Sequence, residues 1–242
     1  MTPVRDIWVY LAASPLLWLT LTLLAYLFAF ALYRRSAFNP LVNPVAIAVT
    51  LLVSVLLATG TPYASYFDGA QFVHFLLGPA TVALAVPLFE QADMLRRAWF
   101  ALGVGLLVGI TVAALSAVLI ARLLGASPAT LASLIPKSVT TPVAMGVAEK
   151  IGGIPSLTAV IVVLTGITGA ALARSVLNLL RVKSHATRGF ALGLAAHGQG
   201  VARAFLVSEE MGAFAGLAMG LTALATAVLA PWLGPLLIAA LG

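Results

Sequence analysis

Residues 98–121 read AWFALGVGLLVGITVAALSAVLIA, an uncharged run that begins directly after Arg96 and Arg97. It holds the roughly 20 apolar residues that cross a bilayer's hydrocarbon core. Four further uncharged runs, 7–33, 36–67, 151–173 and 211–242, are of similar length or longer. None shows the period-2 alternation of a barrel strand, so each reads as helix. The whole chain agrees: its 242 residues carry only 13 Lys+Arg and 7 Asp+Glu against 62% hydrophobic content, with mean hydropathy +1.11. A soluble domain is about 25% charged because its surface must be solvated, so this chain belongs in lipid.

The net charge of +6 does not point to nucleic acid, because the cations form short clusters between long apolar runs and no continuous stripe. The absence of cysteine excludes disulfides, thiolate metal sites and a cysteine nucleophile. The first apolar run has no basic leader and no Ala-x-Ala site before a soluble domain, so it is expected to stay in the mature protein. A multi-pass membrane protein is expected, as one transmembrane domain over 1–242.

Three other segments, 68–90, 128–150 and 189–208, are apolar overall but carry Gly, Pro or polar residues at mid-length. Basic clusters at Arg34/Arg35, Arg96/Arg97 and Arg181/Lys183/Arg188 mark the cytoplasmic face, while Asp68 and Glu209/Glu210 mark loops without cations. If all eight segments crossed, the most basic loop would lie outside. Making 128–150 a re-entrant hairpin on the outer side restores every sign. The expectation is about seven crossings plus one re-entrant or broken element, with 60–67 and 151–154 outside. A short echo, Val82–Val86 before Glu90 and Val143–Val147 before Glu149, suggests an inverted repeat over about 36–124 and 128–208.

The interruptions sit at functional depth. At about 1.5 Å per helical residue, Pro79 is about 16 Å past Asp68, Lys137 about 13 Å past Pro128 and His197 about 13 Å past Arg188, each near the midplane. Irregular backbone there is tolerated only inside protein or along an aqueous cavity, and half-helix N-termini at such breaks attract anions.

In Leu134-Ile135-Pro136-Lys137-Ser138-Val139-Thr140-Thr141-Pro142, prolines at both ends preclude a regular ladder, leaving an ammonium and three hydroxyls among exposed amides. The plainer alternative is a Pro-kinked helix whose Lys137 snorkels to the interface. In Ala195 to Arg203, His197 and Gln199 lie between Gly198 and Gly200, and Gln199 shares a helix face with Arg203. Arg203 is close enough to Glu209 to reach the interface instead. Gly78-Pro79-Ala80-Thr81 opens a third helix and offers the Thr81 hydroxyl. His74, Glu90 and Glu149 are coupling candidates, against the alternative of a packed histidine and two solvated helix ends. The chain has no His-Glu-x-x-His pair, no nucleotide-cradling glycine loop and no nucleophile elbow. Its three histidines are too scattered to argue a metal site.

The strings HFLLGPATVALAVPL at 74–88, PKSVTTPVA at 136–144 with EKIGGIP at 149–155, and Ala195-Ala196-His197-Gly198 with Ala202-Arg203-Ala204 resemble the LrgB/CidB membrane protein family. The likeness covers essentially the whole chain. That family includes the LrgB-like half of the plastidic glycolate/glycerate transporter and members linked with pyruvate uptake, and has also been described as antiholin-like, controlling murein hydrolase release and lysis beside a small LrgA partner. The family pattern at the third break is Ser-His-Ala-Ile-Gly-Thr-Ala-Arg. Here hydroxyls are missing at Ala196 and Val201 while Gln199 brings an amide, a departure that bears on the substrate rather than the family.

The resemblance and the breaks together imply no enzyme but a secondary carrier of small monocarboxylates, with Thr81, Lys137, Ser138, Thr140, Thr141, His197, Gln199 and Arg203 around the anion. No cofactor is implied, and the coupling ion, proton or sodium, stays open. The competing reading is an antiholin-like regulator acting by oligomerisation. Expected partners are the bilayer, the anion, further copies of the chain and an LrgA-like protein.

Overall fold

The computed structural model describes residues 14–39, 42–76, 79, 82, 89 and 92–241. Among them every regular element is a helix: α1 Pro15–Arg35, α2 Pro44–Thr59, α3 Tyr63–Phe75, α4 Ala92–Leu123, α5 Pro128–Leu134, α6 Thr141–Lys150, α7 Pro155–Leu179, α8 His185–Phe205 and α9 Glu209–Leu241. Five of these begin with a proline in the first turn, where a missing N–H forfeits no helical bond. The chain forms two compact units, Met1–Ala83 and Leu84–Gly242.

In the first unit, α1 ends on Arg34 and Arg35, cations at the negative end of its dipole. Its Trp18 is fully buried and meets Tyr66 of α3 edge-on at 5.9 Å. Gly69 permits this approach, because a Cβ there would run into the Pro15 carbonyl and Trp18. The Asn43 side chain caps α2 by accepting from the N–H groups of Val45 and Ala46, at 2.9 and 3.1 Å. Gly60, at φ 63°, ends that helix in the left-handed conformation.

The second unit is built on α4, α7 and α9. Glycines set its closest seam: Gly189 and Gly193 of α8 lie against the backbone of Met211 and Ala215 of α9. Each pair is 22 positions apart, so the first arm of α8 runs parallel to α9. Small residues that let helices touch backbone to backbone are the usual means of association in lipid. Outward-facing Val104, Leu107, Val108, Val112 and Leu115 give α4 an apolar face suited to acyl chains.

Among the described residues, four helices are long and apolar enough to cross a membrane: Pro15–Arg35, Arg96–Leu123, Pro155–Leu179 and Glu209–Ala240. Two expected spans differ. The run 36–67 is divided by the Asn43 cap and the Gly60 turn, leaving the 16-residue α2, about 24 Å long by helical rise. Segment 189–208 does not traverse. His197 has φ 42° and ψ −132° inside α8, and the chain turns back there. Gly200 then lies against the Leu192 carbonyl, and the Ser208 hydroxyl reaches Nδ1 of His185 at 3.0 Å. A segment that ends beside its own start cannot carry the chain across a bilayer. Glu209 and Glu210 therefore share an end with the basic 181–188 stretch, and not an opposite face. Glu209 and Glu210 lie outside only if 189–208 crosses, and the fold-back removes that crossing.

Candidate functional site

The other interrupted segment also returns to its origin. The Ser133 hydroxyl accepts from the Ile154 N–H at 2.8 Å, and the Thr158 hydroxyl donates to the Ser133 carbonyl at 3.2 Å. Everything between forms an excursion whose turn lies at 135–140. Pro136, Ser138 and Val139 are buried there, and Lys137 is half-buried. The turn is closed by the Lys137 N–H on the Leu134 carbonyl at 3.2 Å and the Val139 N–H on the Pro136 carbonyl at 3.3 Å. Lys137 Nζ donates to the Ser138 hydroxyl at 3.4 Å. α6 then starts at Thr141 with no side-chain cap from Thr140; Pro142 has no N–H and the Ala144 N–H bonds the Thr140 carbonyl at 2.9 Å, so Thr141 and Val143 are the first-turn donors without an intrahelical acceptor at the positive end of the dipole.

At the second turn, the His197 ring is 6% exposed and its Nε2 lies 3.0 Å from the Val162 carbonyl of α7. A carbonyl only accepts, so Nε2 carries the proton and Nδ1 of the neutral ring is an acceptor. Gln199 Nε2 donates to the next carbonyl, that of Val163, at 3.3 Å. Gly166 makes room for the ring: a Cβ there would stand 2.7 Å from His197 Cε1. A non-glycine residue at positive φ is strained, and the Val162 bond and the packing over Gly166 hold it.

The two turns meet on α7. Val139 and Ala144, from either end of the first turn, form one buried cluster with Val162, whose carbonyl holds His197. Ala223 of α9 packs against that cluster, and Met219 sits 4.0 Å from where a Gly198 Cβ would be. Between them on α9 lies Thr222, 1% exposed, whose hydroxyl has no hydrogen-bond partner among the described residues. Sequence reading passed over Thr222, because a threonine in an apolar helix is expected to bond back to the preceding turn. An orphaned buried hydroxyl asks for an explanation, and a ligand atom supplies one.

The expected site residues separate into groups. Lys137, Ser138, Thr140 and Thr141 lie at the first turn, and His197 and Gln199 at the second. Arg203 lies at the far end of α8's return arm, in a pocket with Lys183, His185 and Arg188. Glu149 is exposed on the last turn of α6 beside Lys150. His74 is in α3 of the first unit. Gly78, Thr81 and Glu90 lie outside the described residues, as do most of 77–91 and with them residues 83–86 of the sequence echo.

Comparison with known proteins points to one family. The model of the LrgB-like family matches residues 22–236. The uncharacterized protein YwbG of Bacillus subtilis (strain 168) is 38% identical over 215 residues, covering 89% of this chain and 95% of the relative. YxaC of the same organism is 36% identical over 218 residues, 90% of this chain and 93% of the relative. The antiholin-like protein LrgB of Bacillus cereus (strain B4264) is 30% identical over 222 residues, 92% of this chain and 96% of the relative. No solved structure matches.

Proposed function

The chain belongs to the LrgB-like family and is a multi-pass protein of the cell membrane, and from that premise we propose that it is a secondary carrier of small monocarboxylates of the glycolate, glycerate or pyruvate type. The supporting observation is the convergence of two chain reversals, one cationic and one holding an imidazole, on a single turn of α7 at Val162. A pore-former or oligomeric regulator has no use for such a pair.

In this reading α4 runs outward from Arg96/Arg97, 128–150 dips in from outside, α7 returns, 185–208 dips in from the cytoplasm, and α9 leaves again. All basic clusters of this unit then face the cytoplasm, as the positive-inside rule asks. The inverted repeat becomes a re-entrant hairpin plus a long helix, 128–179 and 185–241, with α7 and α9 oppositely directed. An unpaired carboxylate at the midplane costs many kcal/mol, so the site must supply a cation and donors. Lys137 gives the charge, the start of α6 and Ser138 give donors, and the Thr222 hydroxyl gives another.

His197 makes the proton the coupling ion. Its Nε2–H is committed to Val162, so only Nδ1 is left for an anion, and a neutral Nδ1 presents a lone pair. Carboxylate binding there therefore takes up a proton. Labelled glycolate, glycerate and pyruvate should enter vesicles holding only this chain, driven by an inward proton gradient. Lys137→Ala should cut uptake at least a hundredfold while leaving the protein extractable and folded, since an unpaired cation is removed. Uptake by Lys137→Ala equal to the parent's sinks the site. No uptake by the parent leaves the antiholin-like reading, which the name of the Bacillus cereus relative favours.

A further inference from the structure

Arg203 belongs to a cavity of about 320 Å³ that gathers five basic side chains from three stretches of chain: Arg174 of α7, Lys183 of the following loop, and His185, Arg188 and Arg203 of the two arms of α8. Among the described residues, no carboxylate is part of its lining. Arg188 is held in place there by Asn178 Oδ1 at 2.9 Å and the Val182 carbonyl at 3.0 Å, and His185 by the Ser208 hydroxyl. The fold-back at His197 creates the cavity, because a straight α8 would carry Arg203 about 27 Å from His185.

A second, apolar groove of about 340 Å³ adjoins it and shares Ala173, Leu177 and Leu192 with it. The groove runs along α7 from Leu180 to Gly169. Eleven residues of helix are about 17 Å, about half of a 30 Å hydrocarbon core and thus the depth of one leaflet.

We propose that the two cavities form one site for an anionic phospholipid of the cytoplasmic leaflet, its phosphate among the five basic side chains and one acyl chain along the groove. A soluble phosphate would satisfy the basic cavity alone and leave the groove idle. Basic recesses between helices on the cytoplasmic side are suited to phosphate head groups, with about 1 kcal/mol from each Lys or Arg. The site stands apart from the turns at Lys137 and His197 and does not depend on the carrier reading.

The test is native mass spectrometry of the full chain in neutral detergent, titrated with phosphatidylglycerol, phosphatidylcholine and glycerol phosphate. Phosphatidylglycerol should bind one per chain, at least tenfold more tightly than phosphatidylcholine, and glycerol phosphate should compete only weakly. Arg174→Gln with Lys183→Gln, both exposed, should weaken phosphatidylglycerol about 25-fold, from about fivefold per charge removed. Val176→Trp, which fills the groove from an exposed position, should weaken the lipid and leave glycerol phosphate unchanged. Equal affinity for the two lipids, or charge variants that bind phosphatidylglycerol like the parent, overturns the proposal. So does glycerol phosphate binding as tightly as the lipid, which makes this a soluble-phosphate site. A second copy of the chain occupying the groove in place of lipid overturns it too.

Discussion

The two reversals of the second unit bring the chain back to its starting point by opposite means. The first spreads its turn over 135–140 and relies on Pro136 and Pro142, residues that cannot donate to a helix ladder whatever surrounds them. The second concentrates the turn in His197, at φ 42°, with no proline in α8. A non-glycine residue in that region costs about 1–2 kcal/mol, which the Val162 carbonyl, the Gln199 bond to Val163 and the space over Gly166 offset. The first turn is therefore a property of its own residues, and the second is a property of α7.

The largest expected effect is topological and all-or-none. The chain lacks cysteine, so single cysteines at Lys183, Glu209 and Lys150 are clean reporters. Lys183→Cys and Glu209→Cys should label from one side of the membrane and Lys150→Cys from the other. Labelling of Glu209→Cys from the Lys150 side would restore 189–208 as a crossing and dissolve the comparison.

Next in size is the chemistry of the second turn. If binding takes up a proton at Nδ1, uptake by the parent should fall as pH rises from about 5 to 8, the interval in which an unperturbed imidazole titrates. His197→Gln keeps an amide donor for Val162 but cannot be protonated. Uptake should drop about tenfold, the equivalent of about 1.4 kcal/mol and less than for Lys137→Ala, and become flat over that interval. A variant that keeps the parent's slope assigns the proton elsewhere.

Stability should divide the turns more finely. Gly166→Ala places a Cβ 2.7 Å from the His197 ring and should cost about 1–3 kcal/mol, lowering Tm by several degrees in a scan. Gly146→Ala, on α6 with nothing within 4 Å of the new Cβ, should instead gain about 0.5–1 kcal/mol. If both variants melt alike, the second turn does not lean on α7.

The smallest effect carries a distinctive sign. Thr222→Val removes a buried hydroxyl without a partner, so Tm should rise, by the equivalent of about 1 kcal/mol, while carboxylate uptake weakens. A stabilised variant with undiminished uptake would take Thr222 out of the site.

Much of this was readable from residue order alone. Helical spans follow from apolar length, which is local, and Pro136 to Pro142 declared its own irregularity. The fold-back at His197 was not readable, because AHGQG fits a continuing helix and its partners lie 31 to 35 positions away at Gly166 and Val162. The charge pattern misled for the same reason: Glu209 and Glu210 were placed by counting crossings, and one count was wrong. Helical spacing groups Arg203 with Gln199, but the return arm redirects it toward Lys183 and Arg188. Thr222 gave no signal, since an orphaned hydroxyl is defined only by what fails to surround it.

The glycine seam between α8 and α9 has a mechanical consequence. With Gly189 and Gly193 set directly on the backbone at Met211 and Ala215, no layer of side chains separates the helices to be reshuffled. Sliding one along the other would drive alanine and leucine Cβ atoms into main chain, so the pair behaves as a single strut. Opening the His197 turn by moving α8 alone is then closed off. Any displacement that opened the His197 turn would have to carry both helices past α7 together, and it would cost the Nε2 bond to Val162.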